Sequence, residues 1–143
     1  MKRIVWSVLV LVMLAALMVG CSQGGGRRKK EETTAAKAGA EYTQIPQDLA
    51  KEMMRADDSL VVVDVRTQEE YAQGHIPGAI CIPNEGIVDA QPEELPDLEQ
   101  TILVYCRSGR RSKEAAQKLA DMGYTNVYEF GGIIDWTGEV VTE

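Results

Sequence analysis

A cysteine followed closely by arginines is the feature of this chain that most clearly indicates chemistry. Residues 105–112 read YCRSGRRS, so Cys106 is followed by Arg107, Arg110 and Arg111. A free thiol is mostly protonated at neutral pH, whereas neighbouring cations and a helix N-terminus favour the reactive thiolate. We therefore predict that Cys106 is a nucleophilic thiolate and that its substrate is an anion.

The segment after the cysteine has the composition of an anion-binding loop. Gly109 lets the backbone turn so that successive N–H groups converge on one point. A helix predicted to begin near Arg110 directs its unpaired N–H groups at the same point. The stretch from Arg107 through Ser108 to Arg111 is thus the predicted substrate-binding loop. The alternative is a surface loop with a solvated basic patch.

The positive charge of this loop contrasts with the rest of the globular part. The whole chain has 143 residues and a formal net charge of −7. Residues 41–143 contain 8 Lys and Arg against 20 Asp and Glu, a formal charge of −12. Nucleic acids bind mainly through neutralisation of their phosphates, so we predict no nucleic-acid partner.

The first twenty residues have the pattern of a secretory signal peptide. Met1-Lys2-Arg3 is basic, residues 4–19 are apolar apart from one serine, and the small Gly20 precedes Cys21. The apolar run is shorter than the roughly 20 residues that span a bilayer. The junction resembles a bacterial lipobox, which implies that Cys21 is diacylated and becomes the first residue of a membrane-anchored lipoprotein. An uncleaved anchor helix is the alternative.

Either reading of the N-terminus places the globular part outside the cytoplasm, at the periplasmic face or on the cell surface. Residues 21–40 contain glycines, a basic block and small polar residues, and offer nothing to bury. We therefore divide the chain into a signal peptide (1–20), a lipidated cysteine with a flexible tether (21–40) and one globular domain (41–143).

Strand and helix patterns alternate along the globular domain. The apolar stretches SLVVVDV and QTILVYC predict buried parallel strands, and YTQI, AICIP and NVYEF predict shorter ones. PQDLAKEMMRA predicts a helix with Pro46 at its first position and Leu49, Met53 and Met54 at helical spacing. TQEEYAQG predicts a helix capped by Thr67, and SKEAAQKLADMG predicts one more.

This alternation predicts an α/β fold with three layers, in which helices flank a mainly parallel sheet. In such sheets, binding sites form at the carboxyl ends of the strands. Cys106 ends the predicted strand QTILVYC, so it lies at such a position.

Three motifs in this order resemble a single rhodanese domain, from about Tyr42 to Trp136. They are VVVDVRTQEEYAQGHIPGAICIP, the loop VYCRSGRRS and the closing GGIIDW. The resemblance implies a five-stranded parallel sheet and a sulfur-transfer activity. Cys106 would take sulfane sulfur from thiosulfate or a similar donor, form a persulfide, and pass the sulfur to a thiol or cyanide-like acceptor. The loop backbone would hold the persulfide, and Arg107 or Arg111 would receive the thiosulfate oxygens.

Other polar residues near the motifs are predicted to be structural. Asp64 and Arg66 end a buried strand and are expected to hold loops by hydrogen bonds, with a contribution of Arg66 to the field at the site as the alternative. His75 lies in the turn GHIPGA, and a general-base role is the less favoured reading. Cys81 lies in an apolar strand motif and is expected to be a small buried hydrophobe rather than a redox partner of Cys106.

Two rival functions stay open at the level of sequence. A non-catalytic rhodanese-fold binding module is one. The other is an oxyanion-handling enzyme, related to cell-cycle phosphatases or arsenate reductases, whose longer loop would need arginine where Ser112 stands. We expect neither a metal nor a cofactor.

Overall fold

The five strands of the described residues form one sheet in which every neighbouring pair is parallel. The computed structural model describes residues 41–142, so the predicted signal peptide, Cys21 and the whole of the tether lie outside the described residues. The strands are β1 (Thr43–Gln44), β2 (Val61–Asp64), β3 (Ile80–Cys81), β4 (Thr101–Cys106) and β5 (Asn126–Gly132). Their order across the sheet is β1-β5-β4-β2-β3, which confirms the predicted five-stranded α/β architecture.

The two long apolar sequences form neighbouring strands in the middle of this sheet. β2 and β4 pair in register from Val61 opposite Ile102 to Asp64 opposite Tyr105. Alternate side chains enter two separate apolar clusters, one on each face, so Val104 and Cys106 belong to one cluster and Tyr105 to the other. Burial on both faces explains why these strands are apolar without interruption.

The helices cover the two faces. They are α1 (Gln47–Ala56), α2 (Gln68–Ala72) and α3 (Arg110–Met122), with short 3₁₀ helices at Asn84–Gly86 and Ile133–Asp135. α3 packs on the Cys106 face through Ala115, Ala116 and Leu119. α1 packs on the opposite face through Ala50.

The helix ends follow the sequence signals closely, with two corrections in α1. The predicted capping box is present, because Thr67 Oγ1 accepts from the Glu70 N–H and the Glu70 carboxylate accepts from the Thr67 N–H. Pro46, however, is the N-cap of α1 rather than its first helical residue. Leu49 is exposed, because the inward face of this helix contains Ala50 and the partly buried Met53 and Met54.

A bulge in β5 shapes the edge of the sheet beside Cys106. Val104 pairs with Glu129, but Cys106 pairs with Gly132, so β5 contains one more residue than β4 in this interval. Gly131 takes the left-handed φ of +95° that such a bulge requires. Bulges of this kind redirect neighbouring side chains and are often found beside functional sites.

Within residues 41–142, we find no helix with the length and apolar character needed to cross a bilayer.

Candidate active site at Cys106

Cys106 lies where β4 ends and the chain turns into α3. We call residues 106–111 the Cys106 loop. The side chain is almost fully buried, 1% exposed, and belongs to the apolar cluster beneath α3. The predicted position at the carboxyl end of a central strand is therefore present, with the sulfur held at the floor of the loop.

Hydrogen-bond donors converge on the sulfur from the loop and the first turn of α3. The Gly109 N–H donates to Cys106 Sγ over 3.1 Å. Burial by itself would raise the pKa of the Cys106 thiol, but hydrogen bonds from the Ser112 hydroxyl and from the N–H groups of Ser112, Ser108 and Gly109 outweigh it. The pKa therefore lies below its ordinary value, and the thiolate is favoured.

Gly109 makes this convergence possible. It is the N-cap of α3 and has a φ of +97°, a conformation that residues with a side chain rarely adopt. The chain therefore turns sharply after Ser108, and the unpaired N–H groups at the start of α3 face back toward the sulfur. The predicted use of a helix N-terminus at this site is present in the structure.

Two of the three arginines of the loop pair with carboxylates rather than contacting the sulfur. Arg111 donates two hydrogen bonds to the Glu70 carboxylate, at 2.7 and 2.9 Å. Arg110 pairs with Glu114 at the surface, over 2.8 Å. Hydrogen bonds from the loop and the helix, rather than direct contact with guanidinium groups, account for the lowered pKa of the thiol.

Arg111 nonetheless belongs to the electrostatic environment of the sulfur. Its pKa is raised chiefly by the hydrogen bonds to Glu70, with smaller contributions that include the charge of Cys106. Arg107 is exposed and forms no ion pair with any of residues 41–142. Arg111 is therefore partly buried, whereas Arg110 is exposed at the surface.

Gly132 allows the backbone of the loop to lie directly against β5. A β-carbon at this position would lie 2.2 Å from the Arg107 carbonyl oxygen and 2.6 Å from the Ser108 α-carbon. The Arg107 carbonyl in turn accepts from the Ile134 N–H. The closing motif GGIIDW therefore packs against the backbone of the Cys106 loop and holds it in place by a hydrogen bond.

Asp64 and Arg66, at and just after the end of β2, form a buried ion pair. Arg66 donates to both carboxylate oxygens of Asp64, with a shortest distance of 2.6 Å, and to the Gly74 carbonyl over 2.7 Å. Both residues are nearly or fully buried. Their contacts connect the end of β2 to the turn after α2, which is the loop-holding role that the sequence indicated.

His75 also has structural contacts. Its ring stacks on Tyr71 with 3.7 Å between ring centroids, and Nδ1 lies 3.0 Å from the Tyr71 carbonyl oxygen. Its backbone pairs with that of Val141. These contacts agree with the predicted structural role and do not include Cys106.

Cys81 and Cys106 lie on different strands and on opposite faces of the sheet. Cys81 is opposite Asp64, and Asp64 is opposite Tyr105, so β2 separates the two cysteine strands. Two strand spacings amount to about 9.5 Å, beyond the roughly 7 Å that a disulfide can bridge. Burial raises the pKa of the Cys81 thiol to about 11, with a further contribution from Asp64. A redox pair is incompatible with this arrangement.

Two open clefts flank the Cys106 loop. One, of about 450 Å³, is lined by Arg66, Glu70, Arg107, Ile133, Ile134 and Val140 among others. The other, of about 420 Å³, includes Ser108, Gly109, Gly131 and Glu129 in its lining. Arg107 thus presents its charge in a cleft that also has exposed apolar side chains.

Sequence reasoning missed Ser112 and Glu129. The sequence identifies Ser112 only as the position where a phosphatase loop would need arginine, yet Ser112 is buried and helps to lower the pKa of the Cys106 thiol. Glu129 lies in the predicted strand NVYEF, and the sequence does not indicate that its carboxylate is buried and accepts from Ser112 Oγ over 2.6 Å. A charged residue inside the apolar motif NVYEF was the available signal, since buried charges are rare without a specific partner.

The fold and this site together define a class of protein. Residues 46–139 match the model of the rhodanese-like domain, and the chain belongs to that family. It is 42% identical over 73 residues to the thiosulfate sulfurtransferase PspE of Escherichia coli, covering 51% of this chain and 70% of the relative. It is 36% identical over 99 residues to the putative sulfurtransferase YtwF of Bacillus subtilis, covering 69% and 94% respectively.

Solved structures show the same likeness. A rhodanese with anions from E. coli superposes with a TM-score of 0.54 and 38% identity, over 58% of this chain and 98% of that one. The human single-domain sulfurtransferase TSTD1 superposes with a TM-score of 0.54 and 26% identity, over 66% and 91%.

Proposed function

We propose that this protein is a thiosulfate sulfurtransferase that works through a persulfide on Cys106, and that it is held outside the cytoplasm by a lipid on Cys21. One observation carries the enzymatic part of the proposal. The sulfur of Cys106 lies at the floor of a loop whose N–H groups point at it and favour its anionic form. The names of the E. coli and B. subtilis relatives agree with this reading.

The first half-reaction is attack of the thiolate on the donor. Cys106 Sγ forms a bond to the outer sulfur of thiosulfate, the S–S bond of thiosulfate breaks, and sulfite leaves with the electron pair. Because the thiolate is ionised beforehand, the step needs no general base. Arg107, exposed in the adjacent cleft, attracts the donor and receives the oxygens of its sulfonate group.

The second half-reaction returns the enzyme to its starting state. The anionic outer sulfur of the persulfide occupies the position toward which the N–H groups of Ser108, Gly109 and the first turn of α3 converge. A nucleophilic acceptor, such as a thiolate or cyanide, attacks this sulfur, and the Cys106 thiolate leaves. The same donors that stabilise the thiolate therefore stabilise it as the leaving group.

The size of the loop favours sulfur over a phosphoryl group as its occupant. Ser112 stands where an oxyanion-binding loop of the phosphatase type would require arginine, and its hydroxyl turns toward Glu129 and Gly109. The nearby Arg111 is held by Glu70.

The proposed location rests on residues 1–21 of the sequence. The basic start, the apolar run and the glycine before Cys21 support export and acylation. We expect the wild-type protein to partition into detergent and Cys21→Ser to be released or left unprocessed. Fractionation of the wild type as an unmodified protein without a lipid would contradict this part of the proposal.

The decisive experiment for the activity is intact mass spectrometry before and after thiosulfate. We expect a gain of one sulfur atom, its loss on addition of cyanide or a thiol, and no gain in Cys106→Ser. Cys81→Ser is the matched control and should gain sulfur as the wild type does. A wild-type protein that folds but never acquires sulfur would favour the non-catalytic binding module.

A further inference from the structure

The cleft beside Arg107 contains apolar side chains for which thiosulfate has no use. Ile134 is 61% exposed and Val140 is 46% exposed, and both line this cleft together with the partly buried Ile133. Only five large apolar side chains are exposed within residues 41–142, so two of them meet in one cleft. Single exposed apolar side chains are ordinary, whereas a group of them beside a reactive centre indicates a contact surface.

The two exposed side chains are held in fixed positions. The Ile134 N–H donates to the Arg107 carbonyl over 3.2 Å, which attaches this residue to the loop. A β-carbon added at Gly74 would lie 3.0 Å from Val140 Cγ1, so Val140 packs closely against the turn after α2. The residue after Val140 exchanges two backbone hydrogen bonds with His75, each of 2.9 Å. A ligand that contacts these side chains therefore has little to order on binding.

The charges of the cleft favour a small ligand with one anionic group. The other charged side chains that line it are already paired, Arg66 with Asp64 and Glu70 with Arg111, whereas Arg107 has no carboxylate partner within the described residues. The globular domain as a whole has a formal charge of −12. An acidic protein surface would be repelled by this domain, but a small anion in the cleft meets mainly Arg107.

The geometry of sulfur transfer brings the acceptor to the same place as the departing sulfite. A nucleophile attacks sulfur from the side opposite to the group that leaves, as in thiol–disulfide exchange. In the first half-reaction Cys106 attacks and sulfite leaves on the far side of the transferred sulfur. In the second half-reaction Cys106 is the group that leaves, so the acceptor enters from that far side, beside Arg107.

We infer that the acceptor is a small organic thiol with an aliphatic body and one anionic group. Ile134 and Val140 contact its aliphatic body, and Arg107 contacts its anionic group. The inference rests on the proposed function, since it names the acceptor of the same reaction. The volume of the cleft, about 450 Å³, is within the range of small-molecule sites.

The chemical step is balanced without an oxidant or a reductant. The thiolate of the acceptor forms a bond to the outer sulfur of the Cys106 persulfide. The bond between that sulfur and Cys106 Sγ breaks, and its electron pair stays on Cys106 as the thiolate. The product is an organic persulfide.

The test follows the discharge of the persulfide on Cys106 in the full chain. Polysulfide forms the persulfide, the excess is removed, and the acceptor is added. The persulfide that remains is trapped with iodoacetamide and measured by mass spectrometry on the peptide that contains Cys106. Acceptors are compared at equal thiolate concentrations, so that differences in their thiol pKa values do not affect the comparison.

Three acceptors separate the contribution of the aliphatic body from that of the charge. Mercaptohexanoate should discharge the persulfide about tenfold faster than the shorter mercaptopropionate, because its additional methylene groups contact Ile134 and Val140. It should be about threefold faster than mercaptohexanol, which has the same chain without the carboxylate, because an exposed ion pair with Arg107 is weak.

Substitutions then assign each preference to a residue. Ile134→Ala and Val140→Ala should each lower the ratio of the mercaptohexanoate rate to the mercaptopropionate rate about threefold. Arg107→Gln should abolish the advantage over mercaptohexanol and retain the preference for the longer chain. Val88→Ala is the matched control and should leave both ratios unchanged, because Val88 is 60% exposed and lines a separate cleft. A general disturbance of the loop changes all rates together and cancels in these ratios.

Equal rates for the three thiols in the wild type would overturn the inference. So would a chain-length preference that survives in both Ile134→Ala and Val140→Ala, or discharge by a protein thiol when none of the small thiols reacts. A protein that polysulfide loads but thiosulfate does not would count against the proposed function alone, because the discharge is measured without thiosulfate.

Discussion

Arg111 and Glu70 join the start of α3 to the start of α2 through two parallel hydrogen bonds. The distances from the guanidinium to the two carboxylate oxygens are 2.7 and 2.9 Å, and both side chains are partly buried. Glu70 Oε2 also accepts from the Thr67 N–H, which completes the capping box of α2. The Glu70 carboxylate therefore completes the cap of α2 and also holds Arg111, whose charge interacts with that of Cys106.

This geometry predicts that Arg111 matters more than its neighbour Arg110. Arg111→Gln should lower kcat/KM for thiosulfate by about tenfold, which corresponds to about 1.4 kcal/mol of transition-state stabilisation. Arg110→Gln is the matched control. It breaks only a surface pair with Glu114, so its kinetics should stay near those of the wild type. Equal losses in the two variants would show that the loop responds to total charge and not to the Glu70 contact.

The ion pair between Arg111 and Glu70 predicts that the stability of the fold depends on pH. Hydrogen bonds from Arg111 lower the pKa of Glu70 from 4.5 to about 2. Because the folded-state pKa is depressed, the stabilisation is fully present above about pH 4.5 and is lost as the pH falls through about 2. In urea titrations, Arg111→Gln should be about 1 kcal/mol less stable than the wild type at pH 7, and the difference should vanish near pH 2. A constant difference across this range would contradict the assignment.

Gly132 is predicted to be intolerant of any side chain. In Gly132→Ala the new β-carbon would overlap the Arg107 carbonyl, and we expect destabilisation of about 2 kcal/mol or more together with loss of activity. Gly86→Ala is the control, because a β-carbon there has no neighbour within 4 Å. Thermal melting and thiosulfate kinetics on both variants test this. Normal stability of Gly132→Ala would mean that the loop and β5 separate easily.

The sequence predicted those parts of the fold that depend on local signals. The apolar runs of β2 and β4 reflect burial on both faces, and the Thr67–Glu70 capping box is a contact between residues three apart in the chain. The placement of Cys106 followed from the order strand, loop and helix. Each of these features depends on neighbours in sequence, which is why a single chain was sufficient to predict them.

What the sequence did not predict depends on contacts between distant residues. The Arg111–Glu70 pair spans 41 positions and the Ser112–Glu129 bond spans 17. The side chain of Glu129 faces α3 through the register of β5 on β4, and the bulge at Gly131 presents its N–H to the carboxylate. A cluster of arginines beside a thiol suggested charge stabilisation, but the folded chain uses backbone N–H groups for this and directs two arginines to carboxylates.

The two described cysteines should differ sharply in reactivity. Cys106 has donors that lower its thiol pKa, whereas burial and the nearby Asp64 raise the pKa of Cys81 to about 11. At pH 7, limited iodoacetamide should therefore modify Cys106 first, and Cys81→Ser should leave both alkylation and sulfur transfer largely intact. Peptide mapping of the alkylated protein provides the measurement. Preferential modification of Cys81 would contradict the assignment of the thiolate.

Arg107 is the arginine of the loop that is placed to contact the donor from solvent. It is exposed, it lines the cleft beside Cys106, and it has no carboxylate partner within the described residues. An arginine in this setting contacts the sulfonate oxygens of thiosulfate, which already carry negative charge in the bound donor, so we expect most of its interaction to be present before the S–S bond breaks. Its removal should therefore weaken binding without slowing the chemistry.

We accordingly expect Arg107→Gln to raise KM for thiosulfate about tenfold with little change in kcat. The increase should shrink as salt is added, because the wild-type interaction is itself screened at an exposed position. Arg107→Lys retains the charge and should recover part of the lost affinity, although a lysine lacks the paired geometry of a guanidinium. A fall in kcat at unchanged KM would instead place Arg107 at the reacting sulfur. Equal kinetics in wild type and Arg107→Gln would contradict a role of this side chain in binding the donor.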